Sequence, residues 1–219
     1  MRPISIALSL LTSVFLIISS AALADVSRIE VARKDTVGQA QDSFSYQRYE
    51  GVVYFTLDPR SSANATITDI EYAPRNARGL VEYSADFKLL VPSDDIANGV
   101  LVYAVNNRGG MSTPPESGQT PLAEQGYTYL ATGWINELAP ADGRLRLHAP
   151  VVSDNGQAIT GDVRYEVSVN SPARRVEIAG GNHLAYMPTD AGLRNATLSR
   201  RQYLTDPRVP IERLSLIHI

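Results

Sequence analysis

Apolar and polar positions alternate along much of this chain. In Val81-Glu82-Tyr83-Ser84-Ala85-Asp86-Phe87-Lys88-Leu89 every second residue is apolar or aromatic, the period of a strand with one wet face. Val163, Tyr165, Val167 and Val169 repeat the pattern against Asp162, Arg164, Glu166 and Ser168, and Leu145 and Leu147 do so against Arg144, Arg146 and His148. Val52-Val53-Tyr54-Phe55-Thr56-Leu57 is denser and predicts a more buried strand. Turn residues separate these runs at Asp58-Pro59, Ala73-Pro74, Asp142-Gly143, Asn155-Gly156 and Gly180-Gly181.

One stretch departs from alternation. Gly99-Val100-Leu101-Val102-Tyr103-Ala104-Val105 is continuously apolar, as expected for a strand covered on both faces. Asn106-Asn107-Arg108-Gly109-Gly110 follows, then a Ser-, Thr- and Pro-rich loop. Thr120-Pro121-Leu122-Ala123-Glu124-Gln125-Gly126 carries an N-cap candidate, Pro at the first helical position and a Gly stop. Tyr127 to Trp134 is the next apolar strand. Strand, glycine loop, short helix and strand make a βαβ crossover, which belongs to a parallel α/β sheet. The expected fold class is therefore α/β: a β-rich mixed sheet with antiparallel hairpins and one βαβ crossover.

The first residues follow another logic. Met1-Arg2-Pro3 is basic, Ile4 to Ile18 lacks charge, and Ser19-Ser20-Ala21-Ala22-Leu23-Ala24 ends in small residues ahead of Asp25. That order is read by signal peptidase and predicts cleavage after Ala24. A transmembrane anchor needs about 20 apolar residues, whereas this core is shorter and interrupted by Ser9 and Ser13. The expectation is an exported bacterial protein, periplasmic or extracellular, with no membrane association after cleavage.

Composition narrows the chemistry. Loss of the leader removes Arg2 and no acid, so the net charge of −3 becomes more negative. This argues against a nucleic-acid partner. The absence of cysteine excludes disulfides, a lipidated cysteine, thiolate-zinc sites and a thiol nucleophile. His148, His183 and His218 form no His-x-x-x-His pair, so no metal is expected.

Taken in order, several blocks resemble the amino-terminal part of the family called alpha/beta hydrolase domain proteins. They are Tyr83-Ser84-Ala85-Asp86-Phe87, Tyr103-Ala104-Val105-Asn106-Asn107-Arg108-Gly109-Gly110, Ala131-Thr132-Gly133-Trp134, Leu145-Arg146-Leu147-His148-Ala149-Pro150 and Ile159-Thr160-Gly161. The resemblance spans about residues 28 to 213, and the Asn-Asn-Arg-Gly-Gly loop is its most specific element. It implies the β-rich amino-terminal portion of an incomplete α/β-hydrolase fold. The implied parent is a secreted serine hydrolase that cleaves small-molecule carboxylic esters without a cofactor.

In such enzymes the loop after the third strand donates a backbone N–H to the oxyanion hole. By position the candidates are Asn107, as a side-chain donor, and Arg108, Gly109 and Gly110. The bland reading stays open beside it: Gly109-Gly110 turns the chain out of a strand, and Asn106 and Asn107 cap neighbouring backbone groups. No Gly-x-Ser-x-Gly occurs, so no catalytic residue is assigned within this chain and the nucleophile is expected beyond residue 219. Residues 1–24 are read as leader, 25–213 as part of the hydrolase domain and 214–219 as an artefactual tail.

The remaining polar residues have simpler readings. His148 is expected as an exposed strand residue beside Arg144 and Arg146, His183 as a loop residue, and Trp134 as core or rim packing. Glu82, Asp86, Asp94 and Asp95 are expected on a solvated strand face or in turns. Asn64-Ala65-Thr66 and Asn195-Ala196-Thr197 match the glycosylation tripeptide, which also recurs by chance. The alternative from another class is a self-contained exported β-rich binding or structural module without catalysis.

Overall fold

The structure is a computed structural model that describes residues 24–38, 43–171, 183–184 and 187–211. Nearly all of the leader, the Gly180-Gly181 turn, His218 and the 214–219 tail lie outside the described residues. The elements are β1 (Ala24–Val37), β2 (Tyr46–Leu57), β3 (Val81–Pro92), β4 (Leu101–Tyr103), α1 (Thr120–Ala123), β5 (Thr128–Thr132), β6 (Leu147–His148), β7 (Ser153–Asp154), β8 (Gln157–Ala158), α2 (Asp190–Asn195), β9 (Leu198–Arg200) and β10 (Val209–Ile211). None of the described helices is long and apolar enough to cross a membrane.

The main sheet runs β1-β2-β3-β5-β4, with β6 also paired to β3. β1, β2 and β3 form an antiparallel meander, β5 is antiparallel to β3, and β4 is parallel to β5. The expected α/β class is corrected by this architecture: the described residues are β-rich, and the two α-helices among them span four and six residues. One crossover through a four-residue helix supplies no helical layer for either sheet face.

Local chemistry explains the register. The apolar residues of β1, Val26, Ile29 and Val31, are unevenly spaced, yet they oppose Phe55, Val53 and Gly51 on one face of β2. Register shifts between Val26 and Arg28 and between Val31 and Arg33 absorb the extra residues as bulges. At Gly51 a Cβ would run into the Glu30 backbone carbonyl, so this close approach of β1 to β2 requires glycine.

The sheet has unlike faces. Val53, Ala85 and Phe87 form a buried cluster flanked by Tyr49, Phe55, Leu89 and Leu147. On the opposite face Tyr46, wholly buried, packs with Phe44, Leu90, Ala123 and Tyr129. Its hydroxyl donates to the Ala123 carbonyl over 2.8 Å and ties α1 to β2. Burial, with Tyr129 alongside, pushes its phenol up to about 12.

Beside that cluster lies an ion-pair network. Lys88 Nζ reaches Glu116 at 3.0 Å and Glu50 at 3.5 Å, and Arg48 reaches Glu116 at 3.1 Å and Asp35 at 2.8 Å. Thr113 donates to Glu116 from its amide at 3.2 Å and its hydroxyl at 2.9 Å. Glu116 thereby pins the loop before α1 onto the sheet. Lys88 is buried, and it is satisfied because two carboxylates meet it.

Three strand expectations are revised. The Gly99–Val105 run gives only the short edge strand β4, and Leu101 and Tyr103 are 56% and 52% exposed rather than covered on both faces. Residues 163–169 alternate but are exposed and pair with no strand among the described residues; Glu166 instead forms ion pairs with Arg201 and Arg208. The Leu145–His148 run contributes only the two residues of β6. Alternation supplies a face to bury and no pairing partner, so it cannot by itself make a strand. The helix also begins differently: Gln119, not Thr120, is its N-cap, without a side-chain capping bond.

The network predicts acid lability. The Arg48 hydrogen bond is the main force holding the Asp35 carboxyl at about 2, against an ordinary 3.8. Burial pushes Glu116 up, but bonds from Lys88 and Thr113 outweigh it and leave the carboxyl below its ordinary 4.5. Both folded-state values are depressed, so their stabilisation is full above pH 4.5 and lost as pH falls toward 2. The urea midpoint should hold near neutrality and drop through that window. Glu116→Gln should cost on the order of 2 kcal/mol at pH 7, by leaving Lys88 underpaired, and should flatten the acid-side slope. An unchanged slope in Glu116→Gln would show that the network does not govern acid stability.

Candidate functional site

The carboxyl ends of the parallel strands β4 and β5 bring three segments together: Asn106–Gly110 after β4, Gly133-Trp134 after β5, and Arg144–His148 through β6.

Asn106 organises the first loop. It is buried, its Nδ2 donates to the Thr132 carbonyl at 2.8 Å, and its Oδ1 accepts the Gly109 amide at 3.0 Å. Its own carbonyl accepts the Trp134 indole N–H at 2.7 Å. One asparagine therefore closes the turn and locks it to β5, the local capping that short amide side chains favour. Arg108 takes a left-handed φ of 53° and Gly109 one of 75°. At Gly109 a Cβ would meet the Leu145 carbonyl at 2.5 Å, while Leu145 donates its amide to the Gly109 carbonyl at 2.9 Å. Conformation and contact both demand glycine there.

The four oxyanion-loop candidates are placed unequally. Gly109 is buried with its amide engaged by Asn106, and the Gly110 amide donates to the Asn107 carbonyl at 3.3 Å. Asn107 and Arg108 are exposed. The Asn107 side chain and the Arg108 amide carry no hydrogen bond among the described residues. Gly109 is the frame position, Gly110 is an open one, and Asn107 and Arg108 are exposed residues bearing donors.

The second support is Asp86, expected as a solvated strand residue but placed at a junction. Its Oδ2 accepts the Arg146 amide at 2.9 Å, its Oδ1 lies 2.9 Å from His148 Nε2, its amide donates to the Arg146 carbonyl at 2.9 Å and its carbonyl accepts the Gly133 amide at 2.8 Å. His148 is thus a partner of Asp86 rather than a free strand histidine. Nothing in the local sequence signals this pair, whose members lie 62 residues apart. Trp134, expected in core or rim packing, is 52% exposed but anchored through its indole nitrogen.

His183 contacts Glu137 at 3.3 Å and forms a β-bridge with Leu138, whose side chain borders Gly109. Asn64 is buried and donates to the Asp58 carbonyl at 2.8 Å, so its amide is engaged in the fold and not presented for glycosylation. Among the described residues no group of His, Cys, Asp and Glu is arranged to hold a metal ion. Two shallow concavities lie elsewhere: one of about 270 Å³ beside Arg28, Tyr54 and Tyr83, and one of about 560 Å³ beside Arg48, Glu116 and Phe44. The β4–β5 end is an open shelf. No family model, no curated protein and no solved structure matches this chain.

This geometry separates the two glycines experimentally. Gly109→Val must strain a left-handed residue and displace the Leu145 backbone, a change worth at least about 2 kcal/mol. At Gly110 a Cβ has only the Asn107 carbonyl nearby, at 3.8 Å. Gly110→Val should therefore fold with near-parent stability. The chain has a single tryptophan, so Trp134 emission reports the loop directly. It should shift to the red in Gly109→Val and stay in place in Gly110→Val. Equal shifts in both variants would contradict the division into frame and open positions.

Proposed function

We propose that the chain is the amino-terminal portion of an exported serine hydrolase whose parent cleaves carboxylic esters by an acyl-enzyme route. The observation that carries this reading is the pair of donors, the Asn107 side chain and the Arg108 amide, held on a braced loop at the carboxyl end of β4. An acyl-transfer site needs donors that are fixed before the reaction and aimed at a developing negative oxygen. The Asn106, Gly109 and Leu145 bonds fix this turn, and Asn107 and Arg108, which bear the two donors, are exposed on it. The nucleophilic serine, its base and its acid would come from outside this chain, which carries no Gly-x-Ser-x-Gly. No cofactor is required by the route.

A second reading is a self-contained β-rich binding or structural module, favoured by the antiparallel β1–β2–β3 meander and the scarcity of helix. Ester turnover by the longer parent decides between them. In that parent, Asn107→Ala should lower kcat by roughly 10²-fold, the usual loss of one oxyanion donor, with little change in unfolding midpoint. Asn155→Ala, in the remote β7–β8 turn, should leave kcat unaltered. A parent with no ester hydrolysis, or an Asn107→Ala variant as fast as its parent, would remove the hydrolase reading.

A further inference from the structure

Two aromatic side chains flank the Asn106–Gly110 loop in an unusual state: each is half exposed, and each has its polar atom tied to the protein. The Tyr103 hydroxyl lies 2.7 Å from Thr132 Oγ1, and the Trp134 indole N–H donates to the Asn106 carbonyl at 2.7 Å. Both residues are 52% exposed. A large aromatic group left in water forgoes its burial energy, and fixing it costs rotamer freedom as well. Exposed rings held in place are the usual anchors of a binding surface, since they offer area at little further entropic cost.

Their placement indicates what they face. Tyr103 ends β4 immediately before the loop, and Trp134 follows β5, hydrogen-bonded to the peptide that leads into Asn107. Val105, 71% exposed, adds apolar surface between Tyr103 and the loop. The shelf thus combines apolar and aromatic surface with two free donors, the composition of a site for an apolar group bearing an acceptor oxygen.

We infer that Trp134 and Tyr103 form a stacking platform for a planar aromatic group, so that the chain binds carboxylic esters with an aromatic ring on the acyl or alcohol side. The ester carbonyl lies toward Asn107 and the Arg108 amide, and the ring lies against the indole. This deepens the hydrolase reading and rests on it for the role of the loop; the ring contact itself depends on the platform alone.

The test is a titration of the full chain with phenyl acetate and, separately, ethyl acetate, read by Trp134 fluorescence and by the NMR shift of the Arg108 amide. Phenyl acetate should quench Trp134 saturably, shift Arg108, and bind at least about fivefold more tightly than ethyl acetate, the gain expected from one aromatic contact. Trp134→Phe keeps a ring and should retain most of that preference by the Arg108 shift. Trp134→Ala and Tyr103→Ala should abolish or reduce it, with circular dichroism unchanged. Equal affinity for the two esters, or an undiminished preference in Trp134→Ala, overturns the platform. Equal shifts of Arg108 by both esters without quenching would sink the platform and leave the loop reading standing. Quenching by phenyl acetate with a motionless Arg108 would keep the ring site and take support from the hydrolase reading.

Discussion

The course of the chain after β5 depends on one residue of β3. Asp86 commits its amide, its carbonyl and both carboxylate oxygens to Gly133, Arg146 and His148. Those bonds draw the β5–β6 connection back over β3, and Arg146 then carries its neighbour Leu145 to the Gly109 carbonyl. The loop at the end of β4 is therefore braced from outside its own strand pair. A hydrogen bond to a charged group contributes more than a neutral one, and here a single carboxylate spends both its oxygens on holding a distant turn in shape.

A second charged centre does comparable work two residues further along β3, at Lys88. Glu116 gathers Lys88, Arg48 and Thr113 and seats the loop that leads into α1. The sheet face that bears these groups is polar across β1, β2 and β3, and becomes apolar only where Tyr46, Leu90 and Tyr129 meet Ala123. With little helix to cover it, that face is stabilised by mutual pairing of its charges rather than by an apolar layer, and such pairing is more sensitive to pH than burial is.

Periodicity made the central strands legible. β3 follows its alternating sequence at Val81, Ala85 and Phe87, which are buried on one face, and departs from it beyond Phe87, where Lys88 and Leu90 are buried on the other. The same reasoning located β4 but misjudged its surroundings: an apolar run says that a strand can be covered, and β4 lies at the edge. Residues 163–169 show the converse, a flawless alternation with no strand to pair with among the described residues. In the candidate site, the loop and its two glycines were visible as a motif. The roles of Asn106, Asp86 and His148 were not, since each depends on contacts across 26 to 62 residues of sequence. Trp134 was visible as a residue, while its tether to the Asn106 carbonyl was a property of the fold alone.

The two margins of the sheet have opposite character. β1 carries Arg28, Glu30, Arg33, Lys34 and Asp35 and two bulges along its length, features that discourage a further strand from joining. β4 is uncharged. Its neighbours Val100 and Ala104 direct their backbone groups to β5, so by alternation Leu101 and Tyr103 turn theirs outward. Among the described residues, lateral growth of this sheet is thus vectorial: hydrogen-bonding capacity is closed off at β1 and left open at β4, beside the loop of the candidate site.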